Sequence, residues 1–138
     1  NVRPHIMFPA IHDSQVVAYS ADSRSGKVEL VLRAGPQDDD PLLRLVFSGV
    51  AAHQFEHPLM PSWVFGLEEI ASDALLKREW QSLQEGHRLT GWPGHWAVSL
   101  DKAAAFCAEH GLKGFDLESS YGFDGWVLAQ SVELIGGA

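Results

Sequence analysis

Cysteine is almost absent from this chain: Cys107 is the only one in 138 residues. No internal disulfide can form, and a reducing compartment, the cytoplasm, is the expected location. Long apolar runs are missing too. None approaches the roughly 18 residues of a membrane-spanning helix. The chain opens at Asn1, and no basic start, apolar stretch and small-residue cleavage site marks a signal peptide. Positive charge is scarce. Ten Lys and Arg stand against 18 Asp and Glu, for a net charge of -8. Nucleic acid and anionic membranes are gripped through Lys and Arg, so neither is an expected partner. Neither a phosphate-cradling glycine loop nor a G-x-S-x-G nucleophile elbow occurs, and no cofactor is expected.

What is present fits one globular domain spanning residues 1–138. The length matches a single domain, and a hydrophobic content of 46% is enough for one sizeable core. The acid is uneven. Between Ala34 and Asp73, Arg44 alone opposes Asp38, Asp39, Asp40, Glu56, Glu68, Glu69 and Asp73, so this stretch carries six of the eight net charges. Such a run is either a solvated face or a surface for a basic partner.

Period-2 alternation predicts strands. Val16 to Ala21 and Lys27 to Arg33 form a hairpin around the turn residues 22–26, with Val28, Leu30 and Leu32 on one face. A third strand covers Leu42 to Phe47, with Leu43, Leu45 and Phe47 facing together, and the pattern resumes from Val50 to Phe55. Val64 to Ile70 fits a strand or a helix. Ser72 is placed to cap a helix that Gly86 stops near Glu85, with Leu76, Trp80 and Leu83 as its inward stripe. Ser99 caps a second helix ending at His110 and Gly111, burying Leu100, Ala103, Ala104 and Cys107. Phe115 and Leu117 alternate with Asp116 and Glu118 in another strand, and Trp126 to Leu134 forms the last. Strands, two helices and a closing hairpin make an α+β fold, a largely antiparallel sheet with both helices packed on one face.

The segment His53-Gln54-Phe55-Glu56-His57 matches the H-x-x-E-H zinc pattern. That chemistry needs a helix, but the segment follows a strand-like run and precedes Pro58; in a strand the two His lie about 13 Å apart, so no metal site is expected. His12-Asp13-Ser14 sets three catalytic residue types in a row. Adjacent strand residues face opposite ways, so Asp13 and Ser14 are read as capping the turn into the first strand. No catalytic residue is assigned. Trp92 and Trp96 fall in a loop, 90–96, where large aromatics either pin the loop to the core or form a contact site.

The run from Ser119 to Gln130 reads as a strand end, a glycine-aromatic turn and a returning strand, with Tyr121, Asp124 and Trp126 near the tip. The expected partner-binding residues are therefore Asp38, Asp39, Asp40, Glu68, Glu69, Trp92, Trp96, Tyr121, Asp124 and Trp126. Aromatic anchors with an acidic surround suit a basic protein partner, and the same residues would suit a small ligand.

In layout, the His12 to Val17 hairpin start, the Leu45 to Val50 strand and the closing tyrosine-glycine-tryptophan hairpin resemble small bacterial α+β domains, including immunity proteins of polymorphic toxin systems. The resemblance implies a non-enzymatic module that binds and inhibits a cognate toxin. The alternatives are a small-ligand binder or hydrolase with a pocket near Trp92 and Trp96, and a structural or regulatory subunit of a larger assembly.

Overall fold

Alternating apolar residues build most of the molecule, and they do so as strands. The computed structural model describes residues 6–55, 62–119 and 124–136. Within them lie β1 (Ile6–Met7), β2 (Gln15–Asp22), β3 (Lys27–Arg33), β4 (Leu42–Ser48), β5 (Ala52–Phe55) and β6 (Ser62–Ile70). Helices α1 (Ser72–Thr90) and α2 (Leu100–His110) follow, then β7 (Lys113–Ser119), β8 (Gly125–Ala129) and β9 (Ser131–Gly136). Every strand pairing is antiparallel, in the order β5-β8-β7-β6-β2-β3-β4-β9, with β1 beside β6. The fold is α+β, as the order of patterns predicts.

The two ends of that strand order are stitched together. β4 runs on into β5 and β8 into β9, and these ribbons pair along their length, β4 with β9 and β5 with β8. At the junction Gln130 N–H donates to Ser48 O at 3.0 Å and Ala51 N–H to Leu128 O at 2.8 Å. The sheet therefore wraps around its own inner face. Val16, Leu30, Leu32, Leu45, Phe47, Val64, Leu67, Phe115 and Val127 fill that interior. Fully burying an aliphatic or aromatic side chain of this size contributes about 1.5–3 kcal/mol.

A second core lies outside the wrap, between the sheet and both helices. It joins Leu75, Leu76 and Leu83 of α1 with Ala103 and Cys107 of α2, and with Ala52, Trp126 and Leu128 of the sheet. Strand β8 serves both cores by alternation: Val127 and Ala129 point inward, Trp126 and Leu128 toward the helices.

Three boundaries differ from the sequence expectation. Trp126 to Leu134 is two strands, broken at Gln130 where the ribbon bends; across the bend Gly49 adopts φ 64°, a left-handed conformation that glycine takes without steric cost. Ala71, not Ser72, is the N-cap of α1, and it makes no side-chain capping bond; Asp73 Oδ1 accepts from Ala74 N at 2.9 Å in the first turn. The helix also passes through Gly86 and stops at Gly91, φ 79°, whose N–H bonds His87 O. Gly86 is needed inside the helix because a Cβ there would sit 2.5 Å from the Trp92 ring. α2 begins and ends as predicted, with Ser99 Oγ accepting from Lys102 N at 3.2 Å and Gly111 at its C-cap. Among the described residues no helix is long and apolar enough to cross a membrane.

Candidate functional site

Register across four strands sets the outer face in rows. One row is Ala52, Leu128, Gly114 and Ile70. It is apolar and lies beneath the helices; a Cβ on Gly114 would meet Ile70 Cγ1 at 2.8 Å and Leu75 Cδ2 at 3.1 Å, so only glycine lets α1 come this close. Two residues along each strand, the next row is Gln54, Trp126, Asp116 and Glu68. Here the apolar cover gives way to a cleft of about 540 Å³. Its floor is this row together with Gly66 and Glu118, its wall is Arg78 and Glu79 of α1, and Phe65 and Asp124 also line it.

The cleft is acidic. Among the described residues, Glu68, Glu79, Asp116, Glu118 and Asp124 face one cation, Arg78. That guanidinium is already engaged. Its Nη1 and Nη2 reach the two Asp116 oxygens at 2.5 and 2.7 Å, and its Nε reaches Glu79 Oε2 at 2.7 Å. The bond to Asp116, helped by Glu79, holds Arg78 above its ordinary pKa against the opposing effect of burial. Asp116 stands directly opposite Glu68 in register, a like-charge pair that destabilises a sheet. The Arg78 fork offsets that repulsion. Asp124 Oδ1 accepts from Ser119 N at 2.8 Å, which fixes it at the mouth of the hairpin. Glu68 and Glu118 form no ion pair among the described residues.

Two aromatics complete the cleft. A β-bulge between Val64 and Gly66 turns Phe65 outward, where it is 52% exposed. The turn before β2 braces the bulge: Asp13 N–H donates to Val64 O, Val64 N–H to Ser14 O, and His12 Nδ1–H to Phe65 O, each at 2.8 Å. Ser14 Oγ is itself buried and donates to Ile11 O at 2.6 Å. Asp13 and Ser14 thus belong to the turn into the first long strand, as expected of them. Trp126 forms part of the cleft lining, is only 4% exposed, and its Nε1–H finds no acceptor among the described residues.

The ten expected contact residues do not form one surface. Glu68, Asp124 and Trp126 meet at the cleft. Glu69 follows Glu68 along the strand, so it points to the other face. Asp38, Asp39 and Asp40 lie in the loop between β3 and β4 and do not line the cleft. There Asp38 pairs with Arg33 at 3.5 Å and Asp40 Oδ2 accepts from Gln37 N at 2.8 Å. Trp92 packs over Gly86 and beside Trp126, their ring centroids 6.2 Å apart. Trp96 stacks on Phe106 at 4.9 Å. Both half-buried rings pin their loop to the helical layer, one of the two roles the sequence left open. Trp126 is a buried wall residue, not an exposed anchor, because its side of β8 faces the helices. Tyr121 lies outside the described residues.

Arg78, Glu79, Asp116, Glu118, Gln54 and Phe65 went unnoticed in the sequence as site residues. The outward alternation of Asp116 and Glu118 was visible, but their meeting with β6 and α1 is set by long-range register.

Among the described residues, no His, Cys or Lys lines the cleft, and no group of His, Cys, Asp and Glu is arranged to hold a metal. His53 sits on strand β5 and burial lowers its pKa; His57 lies outside the described residues. Cys107 is buried, and desolvation raises its thiol to about 11 despite a hydrogen bond from Ser72, which makes it a core residue and a poor nucleophile. What the cleft can do chemically is hold a cation against a partly apolar wall. No protein-family model, curated protein or solved structure matches the chain.

Proposed function

We propose that this chain is a non-enzymatic protein-binding module that docks a basic partner over the acidic cleft. One observation carries the reading: among the described residues, five carboxylates converge on a cleft whose single cation is already bound by two of them. The surplus negative charge favours a positive surface and steers its approach, with the largest effect at low salt. The exposed Phe65 at the rim adds the apolar contact that a binding hot spot needs. A cytosolic immunity protein that neutralises a basic toxin is the biological role that fits this chemistry and the layout resemblance. Carboxylates laid into a cleft evolved for phosphate would block it without catalysis.

The cleft volume also falls in the range of small-molecule sites, roughly 300–1,000 Å³, which favours a small cationic ligand as the second reading. Affinity capture from the native host, followed by kinetics with the purified partner, separates the two. A basic protein whose association slows when Glu68 and Glu118 are reversed to Lys supports the first. Recovery of no protein, with a small cation bound in the cleft instead, selects the second.

A further inference from the structure

Resting on the reading of the cleft as the docking surface, we infer that it takes one Lys or Arg side chain together with a neighbouring main-chain carbonyl of the partner. The cationic head sits between Glu68 and Glu118, and the carbonyl receives the Trp126 indole N–H.

Three features point to a ligand with both a cation and an acceptor. Glu68 and Glu118 project from the same face of β6 and β7. Glu68 is opposite Asp116 and Glu118 opposite Gly66, so the two carboxylates are diagonal neighbours. Such neighbours lie about 7–8 Å apart at the backbone, close enough for two Glu side chains to converge on one head group. Gly66 adds no side chain between them. Arg78 does not satisfy them, since its donors go to Asp116 and Glu79.

The second feature is the unpartnered indole. Buried polar groups in native structures nearly always find a partner, and this one, closed off from solvent in the free chain, has none among the described residues; an acceptor entering the cleft reaches it once the side chains around it part. A bare polyamine or alkylguanidinium offers no acceptor; a peptide segment offers a carbonyl at every residue. The third feature is the apolar lining. Lys and Arg lay their methylene stems along apolar surface while the head stays with polar groups, and a cation also favours an aromatic face. Phe65, 52% exposed at the rim, supplies that surface.

The test uses the full chain, labelled with nitrogen-15, and three capped peptides: acetyl-Gly-Arg-Gly-amide, acetyl-Gly-Lys-Gly-amide and acetyl-Gly-Gln-Gly-amide. Ethylguanidinium serves as the cation without a carbonyl. The Trp126 indole N–H signal is assigned by its loss in Trp126→Phe. Should that variant fail to fold, single Trp→Phe changes at the four other tryptophans assign it by elimination. The Arg or Lys peptide should shift this signal saturably at millimolar concentration. The Gln peptide and ethylguanidinium should leave it in place, and E68Q/E118Q should weaken peptide binding at least tenfold. An equal shift with the Gln peptide, an unmoved indole with both basic peptides, or unchanged binding to E68Q/E118Q would overturn the inference. If the peptides fail while reversing Glu68 and Glu118 still slows a captured protein partner, the docking surface stands and only this mode of recognition falls. If both fail, the docking reading falls with it.

Discussion

Arg78 of α1 grips Asp116 of β7 with both terminal guanidinium nitrogens, at 2.5 and 2.7 Å. This fork ties the helical layer to the sheet at the cleft, and it neutralises the carboxylate that register sets against Glu68. Bidentate geometry makes it stronger than an ordinary surface pair, yet Arg78 is 46% exposed, so solvent screens it. A double-mutant cycle of R78Q and D116N should give a coupling of about 0.5–1 kcal/mol in urea unfolding. R78Q alone should cost more than the double variant, because it leaves Asp116 and Glu68 facing each other. Strictly additive effects would show that the fork holds nothing together.

Gly86 occupies the interior of α1, where replacing glycine by alanine ordinarily stabilises a helix by about 1 kcal/mol. Here the added methyl would run into the Trp92 ring. Gly86→Ala should therefore lower the melting temperature and change the tryptophan fluorescence, since Trp92 must leave its seat beside Trp126. A rise in melting temperature with unchanged fluorescence would mean that Trp92 is not packed on the helix.

Cys107 supplies a pH dependence whose sign follows from its burial. Its folded thiol titrates near 11, above its ordinary value of 9.0. Between those values the folded chain keeps a proton that the unfolded chain has lost. This contribution to stability is thus present below pH 9 and fades as pH rises toward 11. At pH 8.5 the native thiol should resist iodoacetamide and react readily only in denaturant. The fall in stability between pH 9 and 11 should also be shallower in Cys107→Ala. Rapid alkylation of the native chain would place the thiol outside the core.

Local pattern made the inner core legible. Val28, Leu30 and Leu32 alternate along β3, Leu43, Leu45 and Phe47 along β4, and all six are buried. The capped, glycine-stopped α2 was equally plain. The local pattern misleads where a distant residue overrides it. Gly86 carries the mark of a helix stop, yet Trp92 uses it as a seat. Val64 to Ile70 was ambiguous because the bulge at Phe65 breaks the alternation that a strand should show. The site was the least legible part. Contiguous acid such as Asp38, Asp39 and Asp40 stands out in a sequence, whereas Glu68, Asp116, Glu118 and Arg78 are scattered along it. Only the pairing of β6 with β7, and the helix laid across them, brings those four together.

Docking of a basic protein on the cleft predicts a different charge dependence from docking on the aspartate loop. Association rates should be measured across a salt series for the wild type, for E68K/E118K and for D38K/D39K, each against the partner captured from the native host. Melting temperature is the control, since surface substitutions usually shift stability by less than about 0.5 kcal/mol. E68K/E118K should slow association by at least tenfold at low salt, the deficit shrinking as salt screens it over a Debye length of about 8 Å at physiological ionic strength. D38K/D39K should slow it far less. Equal rates for the wild type and E68K/E118K at low salt, with both chains folded, would contradict the claim.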